Sequence, residues 1–308
     1  RPTPAPQQCL VKVHAASVNP IDWKIRKGTM KFFLRIKFPF VPGFDICGEV
    51  IETGSGVSRF KPGDWIYGQL DSRGGGGYAE YAVVNQTFAA LKPERLSPIE
   101  AAALPLAALT AVQTLRDKGH LRSGQQVLII GASGGVGHFA VQIAKAMGAQ
   151  VSAVCGTGNV DWVQRLGADR VLDYRKEDYR KEATHYDIIF DAVAVDSYWG
   201  CSSLLASRGV YISTLPGAGL LLSMLVLPLV SRKRARLIMV RQSTEDLKYL
   251  NRLVEASQLC PVIDRVYPLA EAKSAHDYSE EGHARGKIVL KVLPRRTVEL
   301  QPIPRALF

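Results

Sequence analysis

No apolar run in the chain reaches the roughly 18 to 20 residues that a helix needs to cross a bilayer. The longest, residues 218–230, is shorter and carries Pro228, so no spanning helix is expected. Cysteine is sparse: Cys9, Cys47, Cys155, Cys201 and Cys260 are odd in number and form no C-x-x-C pair. That argues against a disulfide framework and a zinc knuckle, and reads as reduced thiols in a reducing compartment. The start, Arg1-Pro2-Thr3-Pro4-Ala5-Pro6, has neither a charged n-region nor an apolar h-region. It reads as trimmed, with any targeting peptide out of view, and a soluble compartment, cytoplasmic or organellar, is expected.

Acidic residues are in deficit, 28 against 39 Lys and Arg, which leaves a net charge of +11. Such an excess suits nucleic acid, an anionic membrane or anionic small molecules, and charge alone does not choose among them. The basic residues are dispersed, apart from Arg232-Lys233-Arg234-Ala235-Arg236 and Arg295-Arg296, and no aromatic RNA-stacking signature lies beside them. Specific nucleic-acid binding is therefore not expected.

What is present is a globular composition, 47% hydrophobic and 22% charged over 308 residues, enough for two domains. Short β-rich runs at 9–15, 45–53, 64–70 and 78–84 alternate with Gly and Pro turns, and 74–77 reads as a flexible glycine loop tip. From about residue 97 the spacing turns helical. Strands are then predicted at 127–130, 151–154, 170–173, 187–190 and 210–213, with helices at 135–147, 160–166 and 197–206. Alternation of this kind predicts a doubly wound parallel sheet whose strands are covered on both faces. A helix after Ser243 and Thr244, a strand near 262–267, a helix from about 269 and a strand at 287–292 are expected to rejoin the first domain. The predicted organisation is a mainly β domain at 1–104, a nucleotide-binding domain inserted at 105–257, a return at 258–293, and a tail at 294–308 expected to be disordered.

The sharpest chemical signal is Gly131-Ala132-Ser133-Gly134-Gly135-Val136-Gly137, set between a buried strand and an amphipathic helix. Glycines there permit the tight turn and close approach of backbone to a pyrophosphate, whose charge meets the helix N-terminus. An NAD enzyme usually ends its second strand in Asp or Glu. Here Cys155-Gly156-Thr157-Gly158-Asn159 brings no carboxylate before Asp161, so NADPH is expected over NADH. No Arg or Lys stands at 156–160 to favour the 2′-phosphate directly; Thr157, Asn159 and Tyr174 are neutral candidates.

Around this motif, Ala16-Ser17-Val18-Asn19-Pro20-Ile21-Asp22, Pro42-Gly43-Phe44-Asp45, Lys61-Pro62-Gly63-Asp64, Gly77-Tyr78-Ala79-Glu80-Tyr81 and Gly282-His283-Ala284-Arg285-Gly286-Lys287 occur in order. With these, residues 11–293 resemble the zinc-independent medium-chain dehydrogenases/reductases of the quinone oxidoreductase, or zeta-crystallin, branch. The resemblance implies a Rossmann domain inserted in a GroES-like catalytic domain. It implies that Asn19 and Thr110 face the nicotinamide, that Ser133, Gly134, Gly135, Val136 and Gly137 hold the pyrophosphate, and that Thr157 and Tyr174 meet the adenosine phosphate. Val193, Thr214 and Lys287 would complete the cofactor walls. Asn19, Phe44 and Leu106 stand where the zinc branch has its metal ligands; Phe and Leu offer no lone pair, so no zinc is expected. Two departures from the family pattern are Gly158, where relatives often carry a basic residue, and Ala194, where a glycine usually follows the valine.

These features together predict NADPH-dependent reduction of quinones or α,β-unsaturated carbonyls, with homodimers expected from the resemblance. The alternative is a cofactor-binding protein with a non-catalytic role in RNA, membrane or partner binding. Asn19 and Asp22 read equally well as caps of a turn, Tyr67 and Tyr78 as packing residues, and no histidine has the spacing of a catalytic base. Residues 220–230, followed by Arg232, Lys233, Arg234 and Arg236, read either as a helix between two strands or as a weak peripheral anchor on an anionic membrane.

Overall fold

Residues 1–29, 39–71 and 74–292 are described by the computed structural model, and the tail 294–308 lies outside them. The early β-rich runs form β1 (Gln8–Val18), β2 (Asp45–Thr53), β3 (Trp65–Gln69), β4 (Tyr81–Asn85) and β5 (Ala89–Leu91). They pair antiparallel, β1 with β2 and β4, β2 with β3, and β3 with β5. The helix α1 (Pro20–Arg26) follows β1, with Pro20 opening its first turn, where the missing N–H costs no hydrogen bond. The glycines at 74–77 form a pinned turn instead of a loop tip: Gly76 N–H donates to Val41 O at 2.8 Å and Gly77 N–H to Gly43 O at 2.9 Å.

Two short helices, α2 (Pro98–Ala102) and α3 (Pro105–Val112), carry the Ala- and Leu-rich segment into the core, and a π-helical stretch at Gln113–Lys118 extends it. The second sheet comprises β6 (Gln126–Ile130), β7 (Gln150–Cys155), β8 (Arg170–Asp173), β9 (Tyr186–Asp191), β10 (Leu205–Ser213) and β11 (Arg234–Leu237). Its order is β11-β10-β9-β6-β7-β8, parallel throughout. The chain crosses over through α4 (Gly137–Ala146), α5 (Val160–Arg165), α6 (Tyr198–Cys201) and α7 (Ala218–Val230). Strands β6, β7 and β9 are buried along nearly their whole length, because both faces of the sheet are covered.

The helix predicted at 197–206 is a correction: α6 is one turn long and gives way to a 3-10 turn at Ser202–Leu204. Leu205 then pairs with Tyr186, and a register shift precedes Val210, so the strand begins five residues earlier than its apolar run suggests.

Helix α8 (Thr244–Glu255) closes over the first sheet, with Tyr67 hydroxyl donating to Asn251 Oδ1 at 2.6 Å. The chain then returns as β12 (Ile263–Pro268), α9 (Ala272–Glu280) and β13 (Lys287–Lys291), and β13 pairs with β1. The inner faces of both sheets, α3, α4 and α8 share one apolar core that includes Tyr67, Leu109, Ile129, Phe139 and Leu250.

Candidate functional site

The loop between β6 and α4 is shaped by contacts that exclude side chains. Gly131 has φ +78°, and a Cβ on Gly137 would fall 2.1 Å from Gly131 O, so only glycine lets α4 approach the strand so closely. The return segment clamps the loop from the other side. Gly286 N–H donates to Ser133 O at 3.0 Å, and a Cβ on Gly135 would lie 3.3 Å from Lys287 Cδ.

His138, in the first turn of α4, is a further clamp, and no spacing in the sequence announces it. It is buried, its Nδ1 donates to Gly134 O at 3.0 Å, and its Nε2 accepts the Val262 N–H at 3.3 Å. Burial pushes its pKa down to about 3, with the charge of Lys287 adding to the effect, so the ring is neutral and suited to both bonds.

Outside the loop opens a cleft of about 1040 Å³. Ser133, Gly134, Thr157, Tyr174 and Val193, all singled out in the sequence, line it together. So do Arg175, Lys176, Arg180 and Arg285, which the sequence reading did not assign. Arg285 matters most: its Nη2 stands 3.2 Å from where a Cβ on Gly158 would be. The basic group missing at 158 thus arrives from the turn before β13, more than a hundred residues away. Across the same loop, Tyr174 hydroxyl lies 3.2 Å from the Cβ position of Gly156. Carboxylates stand near as well: Glu177 and Asp178 line the cleft, while Asp173 at the end of β8 is buried and accepts the Arg175 N–H at 3.0 Å.

Ala194 takes φ +54°, the left-handed conformation for which the family's glycine is suited. Asp191 holds this turn: its carboxylate accepts from Val193, Val195 and Asp196 N–H groups and from Tyr211 hydroxyl. Thr214 hydroxyl, at the top of β10, is 3.4 Å from Ala192 O.

Asn19, Thr110, Gly135, Val136, Gly137, Thr214 and Lys287 do not line the large cleft. Asn19 and Lys287 meet in a buried polar cluster at the base of α3. Lys287 Nζ donates to Asn19 Oδ1 at 2.6 Å, and Asn19 Nδ2 donates to Asp45 Oδ2 at 2.9 Å. Asp45 also accepts Ser17 hydroxyl at 3.0 Å and the Leu106 N–H at 3.1 Å, tying β1, β2 and α3 together. Thr110 hydroxyl donates back to Leu106 O at 2.7 Å. Burial lowers the Lys287 pKa and raises that of Asp45, each opposed by the other's charge.

The alternative reading of Asn19 and Asp22 as turn caps is half met. Asp22 accepts the Asn19 N–H at 2.8 Å, while the Asn19 amide is engaged elsewhere. Asp22 also accepts Gly43 N–H and Tyr78 hydroxyl, and burial pushes its pKa up to about 7 against those three donors. Tyr78 hydroxyl lies 3.3 Å from His276 Nε2.

Comparison with known proteins agrees with this architecture. Residues 5–94 match the alcohol dehydrogenase GroES-like domain and residues 166–290 a family described as zinc-binding dehydrogenase. The chain is 38% identical to the chloroplast envelope quinone oxidoreductase homolog of Arabidopsis thaliana, over 94% of this chain and 91% of that protein. It is 35% identical to the 2-methylene-furan-3-one reductase of Solanum lycopersicum, over 93% and 72% respectively. Among solved structures, the quinone oxidoreductase from Coxiella burnetii superposes with a TM-score of 0.85 at 35% identity, covering 95% of this chain and 92% of that one.

Proposed function

The chain belongs to the quinone oxidoreductase branch of the medium-chain dehydrogenase/reductase family and is an NAD(P)H-dependent oxidoreductase, and from that premise we propose that it uses NADPH, without zinc, to reduce quinones or α,β-unsaturated carbonyls. The observation that carries the cofactor preference is Arg285 beside Gly158, with Arg175 and Lys176 on the same cleft. A guanidinium can take a phosphate with two parallel charge-assisted bonds, whereas the 2′-hydroxyl of NADH offers it no anion.

When bound, the nicotinamide supplies hydride to an electron-poor carbon. The chain binds and orients. Backbone of residues 131–137 and the N-terminus of α4 meet the pyrophosphate, while Gly286 and His138 hold that loop rigid. Lys287 donates to Asn19 at the base of the site, in a cluster that burial closes off from solvent.

Catalytic zinc does not fit the residues present. Asn19 has its oxygen taken by Lys287 and its nitrogen by Asp45, and Phe44 and Leu106 have no lone pair to give. Without a Lewis acid an alcohol is harder to polarise and deprotonate. An enone or quinone is already electron-poor, which favours it as the acceptor.

Fluorescence titration should give tighter binding of NADPH than of NADH by about tenfold or more, as charge-assisted bonds of this kind allow. Turnover with a panel of quinones and enones should survive a strong chelator. Equal affinity for the two cofactors, or activity lost on dialysis and restored by zinc, would overturn the reading. We also propose the boundaries 1–104, 105–257 and 258–293 for the split catalytic and inserted cofactor domains, supported by β1–β5 and β12–β13 sharing one sheet.

A further inference from the structure

With phosphate assigned to the glycine loop and to Arg285, part of the cleft lining has no role: Tyr179 and Arg180, and beside them Val195. Tyr179 and Arg180 open the 3-10 turn that follows β8, where the Asp178 carboxylate accepts the Arg180 N–H at 3.1 Å. Val195 belongs to the turn after β9.

The two segments meet at Asp196. Its carboxylate, 4% exposed, accepts Tyr179 hydroxyl at 2.6 Å and Arg180 Nε at 2.9 Å on the same oxygen. The other oxygen accepts the Ser197 N–H at 2.7 Å. Burial works to raise the Asp196 pKa, but the donors Tyr179, Ser197 and Arg180 outweigh it and hold the group below the usual carboxylate range. Asp196 is therefore ionised and meets the charge of Arg180.

Arg180 differs in this from the other cations of the cleft. Lys176 reaches Asp173 only at 3.9 Å, and Arg175 and Arg285 form no ion pair among the described residues. A guanidinium whose charge is already met has little left to offer a phosphate, but it keeps its flat, weakly hydrated face. Arg180 lies over the Tyr179 ring, 5.4 Å from its centroid. Its side chain is 47% exposed and lines the cleft, so the face turned from Tyr179 is open to a ligand. An arginine loses much rotamer freedom when it stacks on a ligand, and here Asp196 and Tyr179 have removed that freedom beforehand.

The apolar neighbours point the same way. Val193 and Val195 are 45% and 68% exposed on the same cleft. Exposed valines beside a planar, paired cation suit an uncharged aromatic ring better than an anion. The turn that carries them is held by the Asp191 carboxylate, so both segments are fixed before a ligand arrives.

We propose that the adenine of the cofactor stacks on the Arg180 guanidinium, with Val193 and Val195 beside it, and that Asp196 is the positioning residue that holds this plane. The inference rests on the dinucleotide reading given above, which is what brings a base to this part of the cleft. Arg180 then determines base binding, and recognition of the 2′-phosphate is left to Arg285, Arg175 and Lys176.

The test is calorimetric titration of the whole chain with adenosine 5′-monophosphate, adenosine 2′,5′-bisphosphate and inorganic pyrophosphate. Arg180→Lys keeps the charge and removes the plane. It should weaken both adenosine ligands by the same factor, about fivefold, and leave pyrophosphate unchanged. A loss confined to the bisphosphate would make Arg180 a ligand of the 2′-phosphate, and a loss shared by pyrophosphate would make its effect one of charge alone. Either result overturns the proposal, as does parental affinity in Arg180→Lys or a parent that binds neither adenosine ligand. Asp196→Asn should weaken the adenosine ligands about threefold on its own and not at all beside Arg180→Lys. Equal losses in the two backgrounds overturn the positioning role, for then Asp196 only holds the fold. Arg180 is half-exposed, so Arg180→Lys should melt near the parental temperature. The cofactor preference is judged separately: if the parent binds the two adenosine ligands alike, the case for NADPH fails while the effect of Arg180→Lys on both still stands.

Discussion

On the function proposed above, the pyrophosphate end and the adenosine end of the cleft are built on opposite plans. At the first, seven consecutive residues make the loop, and its shape depends on glycines that a Cβ would displace. At the second, the loop at 156–158 is bare, and cations reach it from 175, 176 and 285. A site shaped by backbone must be written contiguously, because neighbouring dihedral angles create it. A site shaped by charge needs only long side chains that the fold brings together.

That contrast can be broken first at the glycines. Gly137→Val should cost more than a hundredfold in NADPH affinity and much of the soluble yield, since the collision is with Gly131 backbone and nothing there can yield. Gly135→Ala, whose Cβ would meet Lys287 Cδ at 3.3 Å and Gly286 O at 3.4 Å, should retain the fold. Titration and thermal melts of the two variants check this. Parental affinity in Gly137→Val would put the phosphate site elsewhere.

At the other end, Arg285→Ala should weaken NADPH by about tenfold to a hundredfold and leave NADH within about twofold. Placing Gly158→Lys on that variant should recover part of the loss, because removing the guanidinium frees the space 3.2 Å from the new Cβ. No change in the NADPH-to-NADH ratio for Arg285→Ala would show that Arg175 and Lys176 suffice.

A smaller effect is expected in acid. The folded-state pKa of His138, about 3, lies below the usual 6.5, so the unfolded chain takes the proton first. Stability from the neutral ring is complete above about pH 6.5 and is lost as pH falls toward 3, by about 1.4 kcal/mol per unit. Between pH 7.5 and 5.5, urea melts of the parent should therefore lose roughly 1.4 kcal/mol more than those of His138→Gln. Equal losses would mean that the ring takes its proton at the same pH in the folded and the unfolded chain. The mildest change is Ala194→Gly, which should stabilise by about 1 kcal/mol by releasing a left-handed alanine; a lower melting temperature would contradict it.

Much of this molecule was legible beforehand. Strand β8 and the run 45–53 fall where patterning predicts them, and the glycine loop announces its own location. The failures share a cause. Helix α6 stops early because a register shift lets Leu205 pair with β9, a tertiary preference that helical spacing cannot reveal. The polar cluster of Ser17, Asn19, Asp45 and Lys287 joins both ends of the chain, and no window of sequence contains it. Arg285 escaped notice for the same reason. Gly158 carries no basic group, and the guanidinium beside it comes from another segment.

The pairing of Val18 with Ile288 has a consequence for synthesis. The inserted sheet, the helix that follows it and the glycine loop emerge from the ribosome well before the strand that carries Lys287. At about 5 to 20 residues per second, the roughly 270 residues between β1 and β13 take on the order of 15 to 50 seconds to make. Throughout that interval residues 15–18 of β1 lack their β13 partner, and Ser133 O lacks the Gly286 N–H that later clamps it. A nascent chain can thus form its inner sheet early but clamps the glycine loop only when the segment leading into β13 arrives.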